Sequence, residues 1–557
     1  MKHLLLSCTC LLLCAIVTPV SSDIRREAEA LLKWKASLTG AEESLSSWSF
    51  ANSPSLCHWM HIGCNSVGNT TIMLNISGAS LNGTLDKLDF SAFPNLKTLI
   101  LSGNGLHGDI PGGIGNLTSL VKLQIDSNQY LTGAIPRGIG QLKQLTELQL
   151  EDLGLDGALP EEIGNLTSLK KLSLYSINLA GSIPLTIGKL KKLHLLNLRK
   201  NNLTGHIPLE IGNMTELGRM DLTQNYLHGK IPGTISDLVK LSALLLSENQ
   251  LGGDIIPELG NSSTLSYINI ADNRFSGLFP SSICAGGALV TVIAAYNGFT
   301  SLDDLTFQNC TTLKHIDFTE NNIVADLMGW FAKPPEQLRG MAFSKNQLSG
   351  TLLTDRGGIP REVGNLALLE SLDLSVNQLS GEIPPSLADL TAIGTLNLSS
   401  NRLSGRIPTG SQLQTFDPSA YSNNSGLCGS PLQDCVNPSA PKQNEMIQDE
   451  EALWLYCFVV AGVIFGFWLY WGMLLYCNET WRCALYQYVD SVQDKVITKC
   501  GYSVSAPTRN LFFPSPVAAV LEKLRIFVKQ LLEKGITLVQ NKGTYQVAAY
   551  RTFKLRR

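Results

Sequence analysis

The apolar residues of this chain return with a fixed long period. LHLLNLRKNNLTGHIPLEIGNMTE (Leu193–Glu216) repeats, with changes, as LKTLILSGNGLHGDIPGGIGNLTS (Leu96–Ser119) and LKKLSLYSINLAGSIPLTIGKLKK (Leu169–Lys192). The period is 24 residues, with Leu, Asn, Gly, Ile and Pro at constant offsets. A period of this size predicts a solenoid, one supersecondary unit stacked many times. Within each unit the LxxLxL part alternates apolar and polar residues, which predicts a short strand with its leucines turned inward. The LxGxIP part turns at Gly and extends at Pro, which predicts a second short extended segment. Units open near Thr71, Leu96, Leu120, Leu145, Leu169, Leu193, Leu217, Leu241, Leu265, Leu289, Leu313, Leu338, Leu369 and Ile393, so about 14 repeats fill residues 71–415. Five or six large aliphatics per unit, at about 1.5–3 kcal/mol each when buried, stabilise the array only when the units stack.

The array is irregular over 289–368. Leu289–Gln337 lacks the Gly-x-Ile-Pro signature, and Leu338–Leu368 has 31 residues. That long unit is a bulged loop, the remnant of an inserted island, or a gene-model joint. Asn follows the strand at Asn104, Asn128, Asn201, Asn225, Asn249, Asn273, Asn297, Asn321, Asn346, Asn377 and Asn401. Its side chain is expected to bond backbone at the turn in its own and the next repeat. Ala79, Leu153 and Ile177 hold this slot elsewhere, so the ladder should weaken there.

A stack needs a lid at each end. Ala28, Leu31, Leu32, Trp34 and Leu38 suit an amphipathic helix, followed by CHWMHIGC (Cys57–Cys64), so 23–70 is expected to be the N-terminal cap. Gly426–Cys435 marks a closing cap within 416–440. Of the 13 cysteines, Cys57, Cys64, Cys284, Cys310, Cys428 and Cys435 lie between two apolar runs. An even number behind a leader suggests three disulfides made in an oxidising compartment. Cys57–Cys64 and Cys428–Cys435 are the expected cap pairs. Cys284 and Cys310 fall at similar phase in adjacent units, and are either a third pair or two buried thiols.

The two apolar runs set the expected topology. Residues 1–22 read as a signal peptide, with Lys2 before the apolar Leu4–Val17 and small residues before Asp23. Residues 452–477 hold 26 residues without a charge, enough for one transmembrane helix. An acidic juxtamembrane stretch (441–451) precedes the run and Arg482, Lys495 and Lys499 follow it. This bias predicts a single-pass type I protein of the plasma membrane, repeats outside. Gly462 and Gly466 form a GxxxG that either admits a partner helix or reflects the commonness of Gly in such spans. Residues 478–557 make a short basic cytosolic tail, either an amphipathic helix on the anionic leaflet or an unordered segment. It holds no Gly-rich nucleotide loop, no His-Arg-Asp and no Asp-Phe-Gly, so no kinase is expected. Sequons begin at Asn69, Asn75, Asn82, Asn116, Asn165, Asn202, Asn213, Asn261, Asn309, Asn397 and Asn423. Strand positions Asn75 and Asn397 should be poor acceptors; the other nine are expected N-glycosylation sites.

Formal charge is −3 with 16% charged residues, which gives no footprint for nucleic acid. His107, His206 and His228 are scattered on turns without carboxylates or cysteines at metal-ligand spacing, and no nucleophile–base arrangement can be argued. No metal, no cofactor and no enzyme activity are expected. The available chemistry is recognition. Polar positions between the strand leucines read Lys122, Asp126, Glu147 and Glu151, then Tyr175, Asn197, Arg199, Lys200 and Arg219, then Tyr267 and Tyr296. This acidic, basic, aromatic order either orients a bound ligand or only solvates the sheet.

LxxLxLxxNxLxGxIPxxIGNLTx resembles the plant extracellular leucine-rich repeat. EAEALLKWKASL with CHWMHIGC resembles the N-terminal cap of plant leucine-rich-repeat receptors. NRLSGRIPTGSQLQTFDPSAYSNNSGLCGSPLQDC, and the span followed by WRCALYQYVDSVQDK, resemble kinase-less plant receptor-like proteins. The resemblance covers about residues 23–500; the segment after Gly501 falls outside it. It implies an α/β solenoid, a plant-type leucine-rich-repeat right-handed superhelix with capped ends, plus one transmembrane helix. It also implies an extracellular ligand and a leucine-rich-repeat receptor kinase as adaptor or co-receptor. Defence is its main leaning; a tethered inhibitor of wall-degrading enzymes, a non-signalling decoy and developmental peptide perception stand beside it.

Overall fold

In the computed structural model, residues 22–435 are described, apart from 67–69, 262–263, 303–305, 308–309, 326–334, 350–358 and 411, with the side chains of 22, 23 and 52–55 also left out. The expected leader, acidic stretch, transmembrane run, Gly462/Gly466 contact and basic tail lie outside these residues. Among the described residues no helix is long and apolar enough to cross a membrane.

Each predicted unit contributes one strand to a single sheet. Fourteen parallel strands run in order from Thr71–Asn75 to Thr395–Asn397, and an antiparallel strand, Ile62–Cys64, closes the first edge. Register is strict: Lys171, Leu195 and Arg219 are consecutive partners, as are Leu172, Leu196 and Met220. The second residue of each trio is buried, so one apolar column runs through the stack. The sheet passes through 289–368 without a slip: Thr291, His315, Gly340 and Ser371 stay in line. The strand of the long unit thus keeps its place in the ladder.

Proline sets the outer wall. Pro208 caps the 3-10 turn Leu209–Asn213 with φ −68° and ψ 145°, a conformation its ring favours. The turn buries Ile211 and Gly212. A Cβ on Gly212 would lie 2.4 Å from the Thr234 carbonyl oxygen, so only glycine lets the next turn close. From Leu96 to Ile270 the buried core is aliphatic; from Phe275 onward Phe279, Phe299, Phe307, Phe318 and Phe343 join it, with Phe279 and Phe318 edge to face at 5.0 Å.

The asparagine ladder runs opposite to expectation. Asn225 Nδ2 donates to Leu222 O (3.1 Å) of its own unit and Leu198 O (3.0 Å) of the preceding one. Its Oδ1 accepts from Leu203 N–H, also in the preceding unit. The side chain points back because the carbonyls left open by a strand face the following turn. Where Leu153 replaces Asn, strands Lys122–Asn128 and Glu147–Leu153 lengthen to seven residues and pair as far as Asn128↔Leu153. Backbone bonds substitute for the missing amide there. Asn424 adds a rung that the sequence reading passed over, donating to Leu398 O at 3.0 Å.

Both ends are covered. Helix α1 (Ser22–Lys35) buries Ala28, Leu31 and Trp34 against the first unit. Buried Glu27 accepts from Thr71 N–H (2.9 Å) and Oγ1 (2.6 Å), which ties the lid to the first repeat strand. At the other end, Gly426–Cys428 pairs with Arg402–Arg406, and buried Tyr421 donates to Leu413 O at 2.8 Å. Burial pushes the Tyr421 phenol well above its ordinary value. Disulfides join Cys57 to Cys64, Cys284 to Cys310 and Cys428 to Cys435. The second links two units, so the alternative of two buried thiols is set aside.

Candidate ligand-binding surface

One face of the sheet is lined by the residues between the leucines, and the register decides which of them meet. The acidic members group first. Asp126 and Glu151 are direct partners on neighbouring strands. Asp126 accepts from Ser102 Oγ and from Gln124 Nε2 (3.2 Å). Glu147 is matched by Lys122 at 3.2 Å, so part of this charge is used inside the sheet.

The cationic group follows across the next three strands. Asn197 Nδ2 donates to Ser173 Oγ (3.0 Å), and its Oδ1 accepts from the Arg199 N–H (3.1 Å). That bond fixes the backbone from which the Arg199 side chain leaves. Lys200 Nζ stands 5.8 Å from the Tyr175 ring centroid, a cation over an aromatic face. Arg219 lies 3.4 Å from Asp221, a carboxylate only 8% exposed that also accepts from Thr223 N–H. Among the described residues neither Arg199 nor Lys200 has an ion-pair partner, whereas Arg219 and Lys122 do. Two unneutralised cations beside a tyrosine and an amide can hold a carboxylate, sulfate or phosphate group.

The predicted aromatics do not join this group. Tyr267 is half-buried and sits between Ala243 and Thr291. It is two strands from Arg219, or about 10 Å at a strand spacing of ~4.8 Å. Tyr296 is 51% exposed at the end of the following strand. Small buried residues flank them: Ala243 lies between Arg219 and Tyr267 in register, and Ala295 precedes Tyr296. The surface thus has three sectors: acidic, cationic and aromatic-apolar.

Sequence reasoning missed what aims Lys200 and Tyr296. Both have positive φ (58° and 55°), as do Ser176, Gln224 and Glu248 at the same place in their units. The left-handed turn swings each side chain outward at the strand end. Gly78 and Gly103 hold that place in the first two units and carried the signal. Beyond the turn, a groove of about 330 Å³ is lined by Asn178, Lys200, Asn202, Gln224, Tyr226 and Glu248, among others. His206 and His228 pair edge to face at 4.5 Å on an outer turn. Among the described residues no cluster of three or more His, Cys, Asp or Glu could hold a metal ion.

Of the expected glycosylation sites, Asn82, Asn116, Asn165, Asn202, Asn213, Asn261 and Asn423 are exposed, and Asn69 and Asn309 lie outside the described residues. Asn75 and Asn397 are half-buried in strands.

Comparison with known proteins gives the same architecture. Residues 25–65 match the leucine rich repeat N-terminal domain. Residues 95–117, 192–214, 264–285 and 368–390 match the Leucine Rich Repeat. The chain is 34% identical over 88 residues to the Leucine-rich repeat receptor-like serine/threonine-protein kinase SKM1 of Arabidopsis thaliana, a match covering 16% of this chain and 9% of that protein. It is 35% identical over 91 residues to Receptor-like protein EIX1 of Solanum lycopersicum, covering 14% of this chain and 9% of that one. These matches span less than a tenth of either relative. Among solved structures, the plant peptide hormone receptor RGFR1 in complex with RGF2 is similar at TM-score 0.54 and 31% identity, covering 63% of this chain and 62% of that chain. The chain carries a leucine-rich-repeat N-terminal domain and leucine-rich repeats, and its relatives are plant leucine-rich-repeat receptor-like proteins and receptor kinases.

Proposed function

We propose that this chain is a cell-surface receptor-like protein that binds an extracellular ligand on the sheet face and signals through a partner receptor kinase. The observation that carries the reading is the cationic sector. Strict register aligns three adjacent strands that carry Asn197 and Arg219, with Tyr175, Arg199 and Lys200 just past the strand ends, and among the described residues Arg199 and Lys200 have no ion-pair partner. An anionic side chain or terminus of an extended peptide, or an acidic wall fragment, would neutralise them. The acidic sector on one side and the aromatic-apolar sector on the other would then fix its direction. RGFR1, similar over 63% of this chain, is a plant peptide hormone receptor solved in complex with RGF2, which supports a peptide as the ligand class.

The leader at 1–22 and the apolar run at 452–477 would put the repeats outside the plasma membrane and a short tail inside. Residues 478–557 hold no kinase motifs, and a partner receptor kinase would carry the signal. Gly462/Gly466 and the acidic residues of 441–451 would serve that association. Receptor-like protein EIX1 among the relatives supports a receptor-like role, and defence is the role we assign. Affinity purification of the tagged full-length chain from plant tissue, with and without elicitors, tests this. A leucine-rich-repeat receptor kinase should co-purify and increase on stimulation. Recovery of none would overturn the signalling role.

A further inference from the structure

We infer that the groove beside Lys200 seats the first sugar of an N-linked glycan on Asn202. The inference rests on the extracellular reading above, because the modification is made only in the secretory pathway. Asn202 opens the sequon Asn202-Leu203-Thr204 and is itself part of the groove wall. It is exposed, while its N–H is held by Leu179 O at 2.7 Å, so the backbone under the amide is fixed. Tyr226 N–H donates to Leu203 O at 2.8 Å. Tyr226 therefore stands on the next rung, immediately beside Asn202, and it is 53% exposed.

An exposed tyrosine flanking a sequon offers an apolar face to the C–H groups of a pyranose ring, with a hydroxyl at its edge. Asn178, Gln224 and Glu248 surround that face with donors and acceptors for sugar hydroxyl and acetamido groups. A volume of about 330 Å³ is at the small end of the range for small-molecule sites. Four other sequons are set differently. Asn116, Asn165 and Asn213 end 3-10 turns, and the same place on the following turn is Gln141, Lys189 or Asp237. Asn423 spends its amide on Ser400 Oγ at 3.1 Å.

The bond joins Asn202 Nδ2 to C1 of N-acetylglucosamine. The donor is an oligosaccharide carried on a lipid pyrophosphate, which leaves as the amide loses one proton. Once seated, the sugar closes the groove and forms the rim of the cationic sector, leaving Arg199 and the Lys200 ammonium open to the sheet face. The groove then belongs to the glycan and not to the ligand.

The test compares release of sugars from the folded, secreted full-length chain by peptide N-glycosidase, read site by site by glycopeptide mass spectrometry. In the native chain Asn202 should be occupied and should lose its glycan about tenfold more slowly than Asn116, Asn165 and Asn213, the factor given by ~1.4 kcal/mol of seating energy. Tyr226→Ala should bring Asn202 to the rate of the others, and Tyr226→Phe should keep the protection. A bare Asn202, or a release rate equal to the other sites and unchanged in Tyr226→Ala, would overturn the seat. Absence of glycan at all four sites would instead overturn the extracellular reading.

Discussion

The asparagine ladder makes a quantitative prediction because its rungs are not equivalent. Replacing Asn225 by Ala removes three donated bonds and one accepted bond, yet most partners stay satisfied. Leu198 O keeps the amide of Asn201, Leu222 O keeps that of Asn249, and Thr223 O keeps Lys200 N–H. Only the buried Leu203 N–H is orphaned. One buried unsatisfied group costs about 1–3 kcal/mol. Asn201 differs because Ile177 occupies the slot before it. Among the described residues Asn201 alone accepts from both Ile177 N–H (3.2 Å) and Leu179 N–H (3.0 Å), and it alone donates to Leu174 O at 2.7 Å. Asn201→Ala therefore orphans three buried groups, at a cost of at least about 3 kcal/mol on the same scale. Urea unfolding followed by far-UV circular dichroism gives the difference directly, provided the m-value is unchanged. Hydrogen exchange should localise it, with amides 177 and 179 losing protection in Asn201→Ala and amide 203 in Asn225→Ala. Equal destabilisation of the two variants, or a smaller effect at Asn201, would refute the bookkeeping of shared carbonyls.

Three further perturbations follow from the same structure. Cys284→Ser with Cys310→Ser opens a loop closed over 26 residues, which should cost about 3.5 kcal/mol by chain entropy, seen as a lower urea midpoint. Phe318→Ala empties the middle of the aromatic cluster, where its ring meets Phe279 at 5.0 Å and Phe343 at 5.4 Å, and should cost about 3–5 kcal/mol in the same assay. Asp417 caps the turn Pro418–Tyr421, and the hydrogen bonds from the Ser419 side chain and then its backbone hold its carboxyl below the usual range. A depressed carboxyl stabilises the fold above its unfolded value of about 3.9 and loses that contribution as pH falls through the lower folded value. Exchange protection of amides 419–421 should therefore drop below about pH 4, and Asp417→Asn should remove that pH dependence.

The sheet was legible because leucine spacing alone dictates which residues face inward, and the repeat period dictates which strand follows which. A one-residue slip would have exposed every leucine, so the register had no freedom. Other features depend on what lies opposite, which one repeat cannot reveal. The ladder's direction is set by carbonyls of the preceding unit. The lid strand Ile62–Cys64 is three residues ending at a disulfide cysteine and carries no alternation to read. At the binding surface the sectors were readable, since 24-residue spacing puts Tyr175, Arg199 and Thr223 in one column. Neutralisation was not: that Lys122 and Arg219 are ion-paired while Arg199 and Lys200, among the described residues, are not emerges only from side-chain geometry. The left-handed turn was signalled by Gly78 and Gly103 but obscured by the polar residues that hold it afterwards.

The location of ligand binding is tested most directly by charge reversal at two places in one repeat. Arg199→Glu with Lys200→Glu inverts the unneutralised pair. Lys191→Glu with Lys192→Glu makes the same change in charge at exposed positions before the strand. The measurement is the elicitor-induced recovery of a receptor kinase with each tagged full-length variant. The account predicts loss of at least about tenfold for the first double variant, as expected when a desolvated charge contact worth ~1.4 kcal/mol or more is removed, and unchanged recovery for the second. Equal behaviour of the two variants would contradict it.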